Sequence, residues 1–415
     1  MTVRLRQGSD LAPRRHTCYR KVSSLAITGA LAVSLAGVAP NAAADSGPEQ
    51  WYLKAMQAEK IWKVSRGEGI TVAVVDTGVN DSTASLQGQV LPGKDLSDDP
   101  GDENDDSDGH GTTLAELIAG TGDDGGIRGL APGAKIVPVR AGLRKRGEKL
   151  DWSKSGNIHE AIRAAAETKA QIINLSFGAP SYTPMIEDAI KYAADKGKLI
   201  FVSAGNDGNG KNERNYPASF DQVVAVSAVN ESAKAADFSQ HRDYVDLAAP
   251  GVNIPGWCAG NFEHYCTGEQ GTSQAAALAS ASAALIWSKH KDWTANQVLR
   301  VMLETAGKPK DGKVPSTYLG YGVVRPNDVL LDGKGDPGDP DKNPLARKYR
   351  LESPSPTPSS TGDANHHDKG AAEKVNVAES SESDGDSNLG LIIGTGAAVA
   401  VLAGGAFAFM RMRRK

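Results

Sequence analysis

Apolar residues in the central part of this chain come in short continuous runs, not in strict apolar–polar alternation. Ile70–Val75, Ile136–Arg140, Gln171–Leu175, Lys198–Ser203, Val223–Ser227 and Tyr244–Leu247 each read as a strand buried on both faces. Between and after them, Ser155–Thr168, Pro184–Asp195, Ser273–Lys289 and Ala295–Glu304 carry the spacing of helices. No internal repeat is apparent. Strands alternating with helices predict an α/β domain whose mostly parallel central sheet is covered on both faces. Functional side chains then belong at the carboxyl ends of the strands.

Two further apolar stretches lie outside that alternation. Near the start, Arg4, Arg6, Arg14, Arg15, Arg20 and Lys21 precede the small apolar run Leu25–Val38 and the sequence Asn41-Ala42-Ala43-Ala44. A basic region, a short apolar region and an A-x-A-like site read as a secretory signal over 1–44. Near the end, Leu389–Met410 is 22 residues without a charge, followed by Arg411, Arg413, Arg414 and Lys415. As a helix it would be roughly 33 Å long, enough for a hydrocarbon core of about 30 Å. The basic tail, 411–415, places the C-terminus in the cytoplasm and everything before Leu389 outside. Gly390 and Gly394 form a small-xxx-small pair that would let a second membrane helix approach. Residues 333–388 are rich in Pro, Ser, Gly, Asp and Glu, as in Ser353-Pro-Ser-Pro-Thr-Pro-Ser-Ser. So few apolar groups predict a disordered stalk with a reach of roughly 40 Å. His366 and His367 within it read as solvated. The expected order is signal (1–44), N-terminal extension (45–69), folded domain (70–332), stalk (333–388), single transmembrane helix (389–410) and basic tail.

Composition narrows the function. Lys+Arg 46 against Asp+Glu 50 gives a net charge of −4, which argues against nucleic-acid partners. A hydrophobic content of 40% supports a packed core. Three cysteines exclude a disulfide-framework miniprotein and a four-cysteine metal site.

Three segments carry chemistry. Thr71-Val-Ala-Val-Val-Asp76-Thr77-Gly78 runs an apolar strand into an acid and a glycine turn, placing Asp76 at the strand's carboxyl edge. Asp108-Gly109-His110-Gly111-Thr112 sets a histidine between glycines ahead of a helix-like run to Ala119. Gly271-Thr272-Ser273-Gln274 puts a serine at the N-terminus of a long helix, where free N–H groups can help to hold an oxyanion. Singly, each has a structural reading: a turn cap, a packed histidine, an N-cap serine. Together, Asp76…His110…Ser273 is one of the chain orders in which Ser-His-Asp triads occur. Ser273 would attack a carbonyl, His110 would take and return its proton, and Asp76 would orient the imidazole. Asn206, after Ser203-Ala204-Gly205 at a strand end, would supply an oxyanion donor.

In order and spacing, Ala73-Val-Val-Asp76-Thr-Gly, Gly109-His110-Gly111-Thr112, Ser203-Ala-Gly-Asn206 and Gly271-Thr-Ser273 resemble the subtilisin-like serine proteases. The resemblance implies a three-layer fold and a serine endopeptidase (EC 3.4.21.-). It also implies substrate contacts at Ser176-Phe177-Gly178 and Ser203-Ala204-Gly205, beside the pocket for the residue before the cut. The Trp51-to-Trp62 segment, Gly129-Leu-Ala-Pro-Gly-Ala-Lys135 and the signal–protease–stalk–helix layout resemble the mycosins of type VII secretion systems, in which a short N-terminal extension wraps the catalytic domain. They imply a membrane-anchored protease acting outside the membrane on exported polypeptides, with a secretion complex as its partner. A mainly structural part of such a complex, and a general surface protease unrelated to secretion, are the alternatives. Four positions depart from the family: Thr113 and Glu116 replace a His and a Gly, and Gln274 and Ala277 replace a Met and a Pro.

Cys258 and Cys266 are expected to pair in an oxidising compartment; a zinc site with His264 would lack a fourth ligand. Asp95–Asp108 holds eight acidic residues and no basic one. Many subtilisins bind calcium, but no EF-hand-like spacing appears here. The stretch reads as a solvated, mobile loop beside the site, and neither a metal nor another cofactor is required by the proposed chemistry.

Overall fold

The structure is a computed structural model and describes residues 47–143 and 157–346. The expected signal, the membrane helix with Gly390 and Gly394, the basic tail and most of the stalk lie outside the described residues. Two short helices, α1 (Trp51–Ala55) and α2 (Ala58–Ile61), lead into strand β1 (Thr71–Asp76). There follow β2 (Lys94–Asp95), α3 (His110–Ala119), β3 (Lys135–Arg140), α4 (Ile158–Glu167), β4 (Ile172–Leu175), α5 (Pro184–Asp195), β5 (Leu199–Ser203), β6 (Val224–Val229) and β7 (Leu247–Pro250). A hairpin of β8 (Ile254–Trp257) and β9 (Tyr265–Glu269) precedes α6 (Thr272–Lys289), α7 (Ala295–Thr305) and α8 (Pro326–Leu330).

The seven-stranded sheet has the order β2-β3-β1-β4-β5-β6-β7, and every pairing in it is parallel. The period-2 alternation of a strand divides its side chains between two cores. From β1, Val72 and Val74 pack with residues of α3, α6 and α7, while Ala73 and Val75 pack with those of α4 and α5. A sheet between two helical layers results, as the runs of apolar residues predict. After β1 the chain moves to one side of it (β3) and later returns on the other (β4), so the carboxyl ends of β1 and β4 frame the point where strand order reverses. Crevices in open α/β sheets form at such points.

Helix α6 lies inside one layer, and every residue from Thr272 to Trp287 is buried. Its run of Ala and Ser supplies small side chains on all sides, which a helix without an exposed face requires. Chain ahead of β1 is anchored as well: Trp62 Nε1 donates to the Leu130 carbonyl at 2.9 Å and Trp51 Nε1 to that of Val252 at 3.0 Å.

Three expectations are corrected. The last sheet strand is Leu247–Pro250, not Tyr244–Leu247: Val245 N–H closes a turn on Arg242, and pairing with β6 begins at Leu247. The fold continues past Asp332, the expected end of the domain. Asp336 N–H donates to Glu304, Thr294 Oγ1 to the Pro340 carbonyl and Arg300 Nη2 to that of Lys342, and Leu345 is 1% exposed. The acidic stretch is pinned, not merely solvated, because Arg140 Nη1 reaches Asp95 at 3.0 Å and Asp106 is buried. Among the described residues, no helix is long and apolar enough to cross a membrane, and no group of three or more His, Cys, Asp or Glu is arranged to hold a metal ion.

A disulfide joins Cys258 and Cys266 across the β8–β9 hairpin, with Cα atoms 4.9 Å apart. The hairpin's inner side meets Glu116 of α3, which is wholly buried and accepts from Tyr265 Oη at 2.9 Å. Burial pushes the Glu116 carboxyl up to about 7, against hydrogen bonds with Thr83, Tyr265 and Trp257 that lower it. A carboxyl raised from 4.5 to about 7 holds its proton more tightly in the folded chain. Stability from this group is therefore present at low pH, falls as pH rises through that window, and is level above it. Glu116→Gln should raise the unfolding free energy by about 1–3 kcal/mol at pH 8 and leave it nearly unchanged at about pH 4, below the ordinary carboxyl value. Denaturant unfolding of both proteins at the two pH values measures the difference.

Candidate active site

Asp76 ends β1 and His110 begins α3, with Asp76 Oδ1 and His110 Nδ1 2.7 Å apart. This approach needs the glycine after the histidine, because a Cβ on Gly111 would lie 2.1 Å from the Gly78 carbonyl and 3.1 Å from Asp76 Cβ. The start of α3 is capped by Asp106, which precedes it by four residues. Its carboxylate accepts from the N–H groups of Gly109 and Thr112 at 2.9 Å each and from Thr112 Oγ1 at 2.6 Å. Burial lifts the Asp106 carboxyl above its ordinary range even though these hydrogen bonds oppose the lift. Thr77 Oγ1 donates to Asp106 at 2.8 Å and accepts from Gly111 N–H at 3.0 Å, tying the end of β1 to the start of α3.

The His110 ring is 31% exposed, whereas the Asp76 carboxyl is wholly buried. Burial alone would lower the imidazole pKa. The Asp76 charge and hydrogen bond, with help from Asp108 and Asp106, outweigh it and hold the ring above its ordinary 6.5. Its Nδ1 faces Asp76, and the ring lines the cavity beside it.

Ser273 sits in the first turn of α6, 7% exposed. Its Oγ donates to the Ser176 carbonyl at 3.3 Å. Ser176 Oγ accepts from Asn174 Nδ2 at 2.9 Å, and Asn174 Oδ1 accepts from Ser280 Oγ at 3.2 Å. A buried polar chain thus runs from the middle of α6 through β4 to the serine. Asn206 follows the Ser203–Gly205 turn at the end of β5. Its Oδ1 accepts from the Thr272 N–H and Oγ1, both at 2.9 Å. That fixes the amide's orientation, since a backbone N–H can only donate, and turns Nδ2 into the remaining donor.

His110, Asn206 and Ser273 line one cavity of about 180 Å³, together with Thr113, Trp257, Glu269 and Gln274 among others. Ser176-Phe177-Gly178 and Ser203-Ala204-Gly205 extend the neighbouring strands β4 and β5 at the same sheet edge. Asn215 fits between them. It is 5% exposed, donates from Nδ2 to the Ala204 carbonyl at 3.1 Å, and lies so close to Gly178 that a Cβ there would be 2.3 Å from Nδ2.

Of the four departures from the family pattern, Thr113 donates to the Gly109 carbonyl at 2.8 Å and accepts from Trp257 N–H at 2.9 Å, joining α3 to the hairpin. Glu116 is buried on Tyr265, Gln274 lines the cavity, and Ala277 is buried within α6. Reading the sequence missed Asn174, Asp106, Thr272 and Asn215. Only Asp106 carried a usable signal, an acid followed three residues later by the glycine that opens a helix.

Residues 67–322 match the subtilase family, Peptidase_S8. The chain is 36% identical over 248 residues to the major intracellular serine protease of Bacillus subtilis (strain 168), a match covering 58% of this chain and 75% of that enzyme. In structure it is similar to MycP1 from Mycobacterium smegmatis, with a TM-score of 0.60, 28% identity and coverage of 73% of this chain and 89% of that one. It is likewise similar to the MycP3 protease of the type VII (ESX-3) secretion system, with a TM-score of 0.58, 30% identity and coverage of 70% and 90%. The family match runs from before β1 to beyond α7 and takes in the whole sheet and the cavity at its edge: the chain belongs to the subtilase family of subtilisin-like serine proteases.

Proposed function

We propose that this chain is a membrane-anchored endopeptidase that cuts exported polypeptides outside the cytoplasmic membrane through Asp76, His110 and Ser273. The observation that carries the catalytic assignment is the 2.7 Å pair of Asp76 and His110 beside a cavity that His110 shares with Ser273 and Asn206. Ser273 Oγ attacks the scissile carbonyl as His110 Nε2 takes its proton. Asn206 Nδ2 stabilises the oxyanion, and the imidazolium, held by Asp76, returns the proton to the leaving amine. Water, activated by the same imidazole, then hydrolyses the acyl-enzyme. Anchoring and orientation follow from the apolar segment 389–410 and the basic residues after it. Similarity to a protease of a type VII secretion system supports association with such a complex.

A fluorophosphonate probe applied to the purified full chain should label the native protein and neither Ser273→Ala nor His110→Ala. Labelling of the Ser273→Ala protein, or none of a folded native chain, would refute the assignment. Asn206→Ala should lower kcat by about 10²–10³ with little change in KM, because the lost donor acts on charge that develops in the transition state. Since His110 must be neutral to act as a base and its pKa is raised, kcat/KM should climb with pH through an acid limb above 6.5. Asp76→Asn, which removes the charge that raises it, should move the limb down and cut kcat by about 10⁴. Peptide hydrolysis followed from pH 5 to 10 reads both changes.

A further inference from the structure

The cavity beside Ser273 holds a polar atom that the folded chain leaves unmet. Gln274 follows the serine in the first turn of α6 and lines the cavity together with His110, Asn206 and Ser273. It is 6% exposed, and its Oε1 has no hydrogen-bond partner among the described residues. A buried polar atom in that state calls for a donor from outside the chain. A glycine makes room for it: a Cβ on Gly271 would lie 2.5 Å from Gln274 Oε1 and 3.6 Å from Asn206 Nδ2. The bare backbone of Gly271 thus leaves an acceptor and a donor bordering one space beside Ser273.

His110 lines the same cavity and is held above its ordinary value, so near neutral pH a positive charge already borders this space. A second cation is disfavoured there. A neutral N–H donor fits, and the linkage to be cut brings one. The expected contacts of the residue before the cut, Ser176–Gly178 and Ser203–Gly205, are not among the lining residues, whereas His110, from which the leaving amine takes its proton, is. In the planar linkage the N–H points away from the carbonyl oxygen. Once Ser273 Oγ has bonded to the carbon, the nitrogen is pyramidal and its hydrogen can turn toward Gln274. As the C–N bond breaks and the proton from His110 reaches the nitrogen lone pair, the nitrogen gains positive charge. The N–H that it carried from the start then becomes a stronger donor. An acceptor at that place stabilises the transition state more than the bound substrate.

We propose that Gln274 is a further catalytic residue, whose Oε1 accepts the N–H of the scissile linkage as the amine departs. This rests on the assignment of Ser273 as nucleophile. The test compares a peptide with its depsipeptide, identical except that an ester oxygen replaces the scissile N–H, so that only the peptide offers Gln274 a hydrogen. With the full chain in excess, acylation of Ser273 is followed in a single turnover. Gln274→Met should slow acylation by the peptide about three- to tenfold, with substrate affinity nearly unchanged, and leave the depsipeptide within about twofold of native. A fluorophosphonate probe should label the variant as fast as the native chain, because fluoride leaves without an N–H. Equal slowing of both substrates, or slowing of neither, overturns the proposal. Gln274→Leu is the second variant. If neither variant labels, Gln274 serves the folding of the turn and the proposal falls as well. A folded native chain that does not label removes instead the nucleophile assignment beneath it.

Discussion

The constraint on which the molecule depends is a helix that has no outside. Buried from Thr272 to Trp287, α6 must be surrounded by apolar groups while presenting little bulk of its own, and a run of Ala and Ser meets both demands. It is buried on all sides, and Ser273 stands at its head. Its small side chains let α3 and the sheet approach closely. The residues at its first turn are held by Asn206 through Thr272, while Ser280 ties its middle to β4 through Asn174. The Ser273 hydroxyl therefore sits on a helix enclosed on every side.

Electrostatics at the site follow the same economy of parts. Asp76 is buried at the strand end, Asp106 caps the helix that carries His110, and Thr77 bridges the two segments. An acid needed for helix capping thus also adds to the negative field that keeps the imidazole basic. Excess acid in the loop before α3 is in part the structure of the histidine's platform. Arg140, at the end of β3, offsets some of that charge through Asp95.

Much of this was readable from sequence because it depends on local order. Five of the six expected strands and all four expected helices are in place, shifted by three residues at most. Buried parallel strands write themselves as apolar runs, and helices keep their spacing. Asp76, His110, Asn206 and Ser273 were legible because each stands where a strand or turn meets a glycine. Tyr244–Leu247 misled because a buried turn can be as apolar as a strand. The β8–β9 hairpin was illegible because its second strand, Tyr265–Glu269, is half exposed and polar, with a glycine at Gly268. The packing of residues 333–346 was hidden for another reason. Backbone carbonyls bonded to Thr294, Gln297 and Arg300 hold that segment, and carbonyls are common to every sequence. Asn174 and Asn215 likewise act through partners far along the chain, which no spacing rule reaches.

The hydrogen bond from Ser273 to the Ser176 carbonyl joins residues 97 apart, and the Asp76–His110 pair lies earlier still in the chain. During synthesis, Asp76 and His110 exist long before Ser273 has been made. Ser273 in turn has no fixed position until α6 is enclosed by a finished sheet. The cavity shared by His110, Asn206 and Ser273 is thus completed late, with the closure of the core, and a half-made chain does not yet bring its residues together.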